Sequence, residues 1–158
     1  MKRTPTAITA CLFIAAMAAG TASASPVDEP RRADVALVAA PSAVEFPAQG
    51  GNGQVRLNYY NPGNVTKEGA TISAEIPAGL TVRATAAPGW QCHIDEWPAL
   101  ICNTATALAP GQSTYPVEVE LRADAPLTTR IEFGTLGFYR DPTENPADNY
   151  STVTVTAG

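Results

Sequence analysis

A chain of 158 residues with 10 basic and 15 acidic side chains carries a formal charge of −5. Its basic residues Arg56, Lys67, Arg83, Arg122, Arg130 and Arg140 are scattered among acidic neighbours, so no stripe exists to neutralise phosphates, and nucleic acid and anionic membrane surfaces are poor partners. The length suits one domain.

The chain opens on "MKRTPTAITACLFIAAMAAGTASASPV". Lys2 and Arg3 precede an apolar run from Ala7 to Ala19, and small residues end at Ala22-Ser23-Ala24, the pattern of a secretory signal peptide over 1–24. The run is shorter than the roughly 20 residues of a membrane span, and no later segment reaches that length. The expectation is export, with no membrane insertion after signal cleavage. Cys11 lies inside the apolar run rather than after it, so a lipid anchor on that thiol is disfavoured and Cys11 leaves with the leader. Residues 25–33, "SPVDEPRRA", are polar and proline-bearing and read as a loose mature N-terminus.

From Asp34 to Ala157 short apolar and β-branched runs alternate with Gly, Pro and Asn clusters, without helical periodicity. The runs cover 34–40, 53–60, 69–76, 80–86, the two halves of "WQCHIDEWPALICN", 113–123, 130–139 and 150–157. Several keep a period of two: Val55, Leu57 and Tyr59; Ile72, Ala74 and Ile76; Val117, Val119 and Leu121; Val153 and Val155. That is the signature of strands with one buried face. Turn chemistry at "NPGN" (61–64), "PAG" (77–79), "APG" (87–89) and "APG" (109–111) separates them. An all-β, Ig-like antiparallel sandwich is predicted, with Greek-key connections and about seven to nine strands. Pro116 inside the 113–123 run predicts an edge strand or a bulge, since it cannot donate to a ladder.

Cys92 and Cys102 are the even pair left after removal of the leader, and in an oxidising compartment two nearby thiols default to a disulfide. The short loop limits its stabilisation to roughly 2–3 kcal/mol. Trp90, two residues before Cys92, shares its strand face and is predicted to pack near the bridge in the core. Trp97 falls at the tip of the cysteine-closed hairpin, exposed, either as a partial cover for the sandwich end or as a binding anchor. Tyr59 and Tyr60 point to opposite faces, one into the core and the other outward.

In this order "NPGN", "EIPAGLTV", "GWQC", "ICNTATALAPGQS" and "DPTENPADNYSTVTV" resemble the bacterial Ig-like conserved-repeat domain, a family of unknown function numbered 11. The similarity spans about Asp34 to Ala157. Three positions depart from the family pattern: Ala74 stands where aspartate is usual, Asp148 replaces the first of two paired asparagines, and "RIEFGTLGFY" lacks the usual strand start. The resemblance implies a divergent single copy of a module that usually occurs in tandem within large surface proteins. With no internal repeat and no wall-sorting motif, free secretion is expected here rather than covalent display.

The candidate chemistry is thin. Cys92, His93, Asp95 and Glu96 cluster within five residues, yet their spacing matches no four-ligand zinc pattern. A cysteine nucleophile would need His93 as its base, and alternation puts residues 92 and 93 on opposite faces. His93 is the only histidine, and no "GxSxG" elbow occurs, so a serine triad lacks its parts. Asp141, Glu144, Asp148 and Asn149 offer calcium-type oxygen donors without the EF-hand spacing, and read first as an acidic, solvated loop. Sequons at 64–66 and 149–151 read as incidental.

The expectation is a non-enzymatic, secreted or cell-surface-associated interaction or structural module. It needs no cofactor, and its partner is an unknown protein or cell-envelope component. Trp97, Tyr60 and the 141–149 loop are the predicted binding surface. The alternative is a secreted small-ligand carrier or inhibitor, because the cysteine pair around an aromatic hairpin is similar to a disulfide loop of Ig-like chromoprotein carriers.

Overall fold

In the computed structural model, residues 31–32, 34–46, 51–85, 87–135 and 145–158 are described. The expectations for residues 1–24, and for Asp141 and Glu144, lie outside them. Among the described residues, ten strands form two facing sheets. They are β1 (Ala36–Ala40), β2 (Ala43–Phe46), β3 (Asn52–Tyr60), β4 (Ala70–Glu75), β5 (Leu80–Thr85), β6 (Trp90–Ile94), β7 (Ala99–Thr104), β8 (Val117–Ala123), β9 (Leu127–Thr135) and β10 (Tyr150–Ala157). One sheet has the order β1-β3-β8-β5 and the other β2-β10-β9-β4-β7-β6. Within a sheet, consecutive strands are joined directly only at β6–β7 and β9–β10; the other successive strands change sheets, as Greek-key sandwiches do.

The period-two positions do the packing. Leu57, Val117, Val119 and Leu121 from the four-stranded sheet are fully buried, as are Ile72, Ile131, Phe133, Val153 and Val155 from the six-stranded one. Their alternate neighbours, such as Arg56, Glu118, Arg122 and Glu132, are exposed. Each buried branched or aromatic side chain contributes on the order of 1.5–3 kcal/mol, so these nine residues outweigh the disulfide several times over. Cys92 and Cys102 face each other directly in the β6–β7 ladder and are bonded, as predicted.

Three expectations need correction. The described residues form ten strands rather than seven to nine, because β2 follows β1 after only two residues and carries its own alternation, with Val44 and Phe46 buried. Pro41 ends the first strand but not the extended path: the chain crosses from one sheet to the other there. The sandwich is also not wholly antiparallel, because β2 runs parallel to β10, with Val155 opposite Val44 and Ala157 opposite Phe46. Lastly, Pro116 marks neither an edge nor a bulge. It stands immediately before β8, which is an inner strand between β3 and β5; outside the ladder its missing N–H costs nothing.

Register assigns the described connections to the two ends of the sandwich. Ala36 pairs with Tyr60, Ala70 and Trp90 both pair with Thr104, and Tyr150 pairs with Gly134. The connections 61–69, 87–89 and 105–116 and the segment 145–149 therefore share one end, called here the loop end. The hairpin tip 95–98 and the connections 76–79 and 124–126 lie at the opposite end, tied by the hydrogen bond from Ile76 N–H to the Pro98 carbonyl (2.7 Å). Among the described residues, no helix is long and apolar enough to cross a membrane.

Candidate functional site

The loop end carries a cleft of about 520 Å³, a volume in the range of small-molecule sites, ~300–1,000 Å³. Its floor is Trp90 at the start of β6. The indole is 4% exposed and stands edge-on to Tyr59 of the opposite sheet, with ring centres 6.1 Å apart at 84°. Its Nε1–H donates to the Tyr115 carbonyl at 3.1 Å. One aromatic residue thus closes the core and fixes the backbone of the segment that forms the cleft wall.

The walls are the 105–115 segment and the turn 87–90. That turn is closed by Trp90 N–H donating to the Ala87 carbonyl at 2.9 Å. Gly89 sits within it at φ +83°, and a Cβ there would lie 3.0 Å from Thr106 Oγ1. A side chain at this position would therefore be strained and would also press on the opposite wall.

Asn61 holds the other wall, and it belongs to the "NPGN" stretch read from sequence only as a turn. Asn61 is completely buried, and its Nδ2 donates to the carbonyls of Val65 (2.8 Å) and Leu108 (2.9 Å) while Oδ1 accepts from Gly63 N–H (2.9 Å). Its backbone exchanges bonds with Gly111 and Gln112 at 2.8 and 3.0 Å. Lys67 and Leu108 add a reciprocal backbone pair. The side chain of Asn61 is therefore satisfied by three partners that pin two loops to each other, and a buried amide so bonded orders its surroundings.

The chemistry of the cleft is neutral. No charged side chain lines it. Besides Trp90, whose N–H is already engaged, six lining residues carry side-chain groups able to donate or accept hydrogen bonds: Thr104, Thr106, Gln112, Ser113, Thr114 and Tyr115. Thr104 Oγ1 already accepts from Thr106 N–H (3.2 Å), and Thr114 Oγ1 donates to the Tyr59 carbonyl (3.4 Å). Tyr115 is 67% exposed.

Among the described residues, those predicted from sequence do not come together. Trp97 lies at the hairpin tip, 83% exposed, at the far end of the molecule from the cleft. So little of its surface is covered that it does not act as a lid on the sandwich. Tyr60 is half-buried, on an inner strand rather than an edge, and bridges through its backbone to Ser113 in the cleft wall. Trp90 is in the core, as expected, yet also forms the floor of the cleft. His93 is an exposed residue of β6.

Asp148 and Asn149 belong to the other part of the loop end. A short 3-10 turn, Pro146–Asp148, is capped by Asn145, whose Oδ1 accepts from Ala147 N–H (3.2 Å). Asn145 N–H donates to buried Asp34 Oδ1 at 3.0 Å, and Arg32 pairs with Asp34 Oδ2 at 3.0 Å. The Oδ1 atoms of Asp148 and Asn149 are buried without a hydrogen-bond partner. Among the described residues no group of three His, Cys, Asp or Glu side chains is arranged to hold a metal ion. Arg32, in the stretch read as loose, exchanges bonds with Asn64: its N–H donates to Asn64 Oδ1 at 2.6 Å and its carbonyl accepts from Asn64 N–H at 2.9 Å.

Tyr115 is the functional candidate that sequence reasoning missed. It was absorbed into a 113–123 strand, although a residue ahead of proline is held extended and the strand begins only at Val117. The signal was the dipeptide Tyr115-Pro116 next to a glycine turn.

No protein-family model matches the chain. No curated protein matches it in sequence. Among solved structures the chain is similar to a non-cellulosomal cohesin from the hyperthermophilic archaeon Archaeoglobus fulgidus, at 12% identity with a TM-score of 0.48, over 79% of this chain and 91% of that one. It is also similar to AvmM, described as catalysing macrocyclization in alchivemycin A biosynthesis, at 11% identity with a TM-score of 0.41, over 82% of this chain and 90% of that one.

Proposed function

We propose that the chain is an exported, non-enzymatic binding module of the Ig-like conserved-repeat kind, which presents the loop end of its sandwich to a partner in or on the cell envelope. The cleft carries this reading. A concavity whose floor is a buried tryptophan and whose walls are pinned by Asn61 is held in shape before any partner arrives, so little ordering free energy is spent on binding. The leader pattern and the Cys92–Cys102 bond support an oxidising destination.

The test is co-sedimentation of the secreted protein with envelopes of its own source cells. The expected result is saturable binding that Tyr115→Ala weakens at least about tenfold, roughly 1.4 kcal/mol, and that Trp97→Ala leaves unchanged. The reverse pattern, or no sedimentation by the wild-type protein, refutes the proposal. The cleft volume also favours a second reading, a small-ligand carrier. A native mass spectrum of protein from its own culture that shows a bound small molecule supports the carrier; a bare mass counts against it.

A further inference from the structure

We propose that the loop-end cleft binds a neutral saccharide, stacked on the exposed ring of Tyr115 and hydrogen-bonded by the hydroxyl and amide groups of the surrounding wall. This deepens the binding-module reading and rests on it.

Three features of the cleft select this ligand class over others. First, an anionic or cationic ligand group entering a site without a countercharge loses hydration and gains no ion pair, and no charged side chain lines this cleft. Second, a purely apolar ligand would bury the hydroxyls of Thr106 and Ser113 and the amide of Gln112 against surface that cannot bond to them, at the cost of their water. A sugar satisfies both conditions: its hydroxyls replace that water, and it brings no charge. Third, a pyranose has a C–H face as well as its hydroxyl rim, and such a face packs on the electron-rich plane of an aromatic ring. Tyr115 offers that plane. It is 67% exposed, while its backbone is fixed from below by the bond between its carbonyl and Trp90 Nε1.

The positions of the polar groups fit recognition rather than scaffolding. Gln112 Oε1 bonds Ala109 N–H at 3.3 Å, which orients the side chain. Thr106 and Ser113 are both exposed in the wall formed by the 105–115 segment, which lines the cleft together with Trp90. A ligand on that wall meets donors and acceptors of a loop that Asn61 holds in place through the Leu108 carbonyl and the backbone of Gly111 and Gln112.

Trp90 makes the test direct, because Trp97→Phe leaves it as the only tryptophan in the chain. In that background, Trp90 emission is titrated with tetrasaccharides of β-1,4-glucose, α-1,4-glucose and β-1,4-N-acetylglucosamine, with polygalacturonate as the charged control. The expected result is a saturable change with at least one neutral tetrasaccharide, none with the control, and a loss of about tenfold or more in affinity on Tyr115→Ala. Thr106→Val, which keeps the shape of the side chain and removes its hydroxyl, weakens the same ligand while leaving thermal stability in place.

No saturable change with any of these neutral sugars, or binding that survives Tyr115→Ala, overturns the proposal. Envelope co-sedimentation separates this failure from that of the wider reading. Tyr115-dependent sedimentation that no neutral sugar competes away preserves the binding module and removes the saccharide; loss of both removes both.

Discussion

Replacing Trp90 by phenylalanine tests whether one indole couples the core to the cleft. The substitution keeps a ring against Tyr59 but deletes the donor to the Tyr115 carbonyl and the second ring. An unpartnered buried carbonyl costs about 1–3 kcal/mol, and since Tyr115 itself is exposed, water can reach part of that group, which favours the lower half of the range. The missing ring leaves a void of a few tens of Å³, which at roughly 24 cal/mol per Å³ adds about 1 kcal/mol. The sum is about 2–3 kcal/mol. With a urea slope of about 2 kcal/mol per molar, the middle of the usual range, the unfolding midpoint drops by roughly 1–1.5 M at unchanged slope. Trp97→Phe, measured alongside, stays within about 0.5 kcal/mol because its side chain touches little. Equal costs for the two substitutions, or a Trp90→Phe midpoint within about 0.3 M of wild type, would refute the coupling.

Asn61→Ala removes three side-chain hydrogen bonds and is expected to cost about 2–4 kcal/mol, with hydrogen exchange accelerated first at Gly63, Leu108 and Gly111. Uniform acceleration across the sheets would show instead that Asn61 acts on the whole fold. Replacing Cys92 and Cys102 together by serine should lower stability by about 3 kcal/mol, from the loop-closure entropy of a ten-residue separation, and leave the circular dichroism spectrum of a β-sandwich. Collapse of that spectrum would mean that the core cannot hold the fold unaided. Gly53→Ala would place a Cβ too close to Val44 Cγ1 and Phe46 Cε1, which belong to buried residues of β2, so a loss of about 1–3 kcal/mol by overpacking is expected. A neutral thermal melt for that variant would show that β2 can move away from β3.

The sandwich was legible because its cause is local. Val55-Leu57-Tyr59 and Val117-Val119-Leu121 alternate in the sequence and are buried in the structure, and the cysteine pair needed only a hairpin to meet. The strand β2 was missed for an equally local reason: Pro41 ends a ladder, and nothing nearby tells that the chain resumes pairing in the other sheet, alongside the distant β10. The site was less legible because its parts converge through topology. Trp97 and Tyr60 looked like companions in sequence, yet which end of the sandwich a loop occupies follows from strand direction. Asn61 looked like a turn residue, and its bonds to a loop more than 40 positions away follow only from the fold.

The entry of β1 and the exit of β10 have a mechanical meaning. Ala36 lies level with Tyr60 at one extremity and Ala157 level with Leu127 and Phe46 at the other, so a pull between Asp34 and Gly158 is directed along the strands. β10 is gripped on both flanks, by β9 over eight register positions and by β2 over four. Under tension those bonds share the load side by side and must give way together instead of peeling open one at a time. A domain with this geometry can serve as a link in a stretched tether.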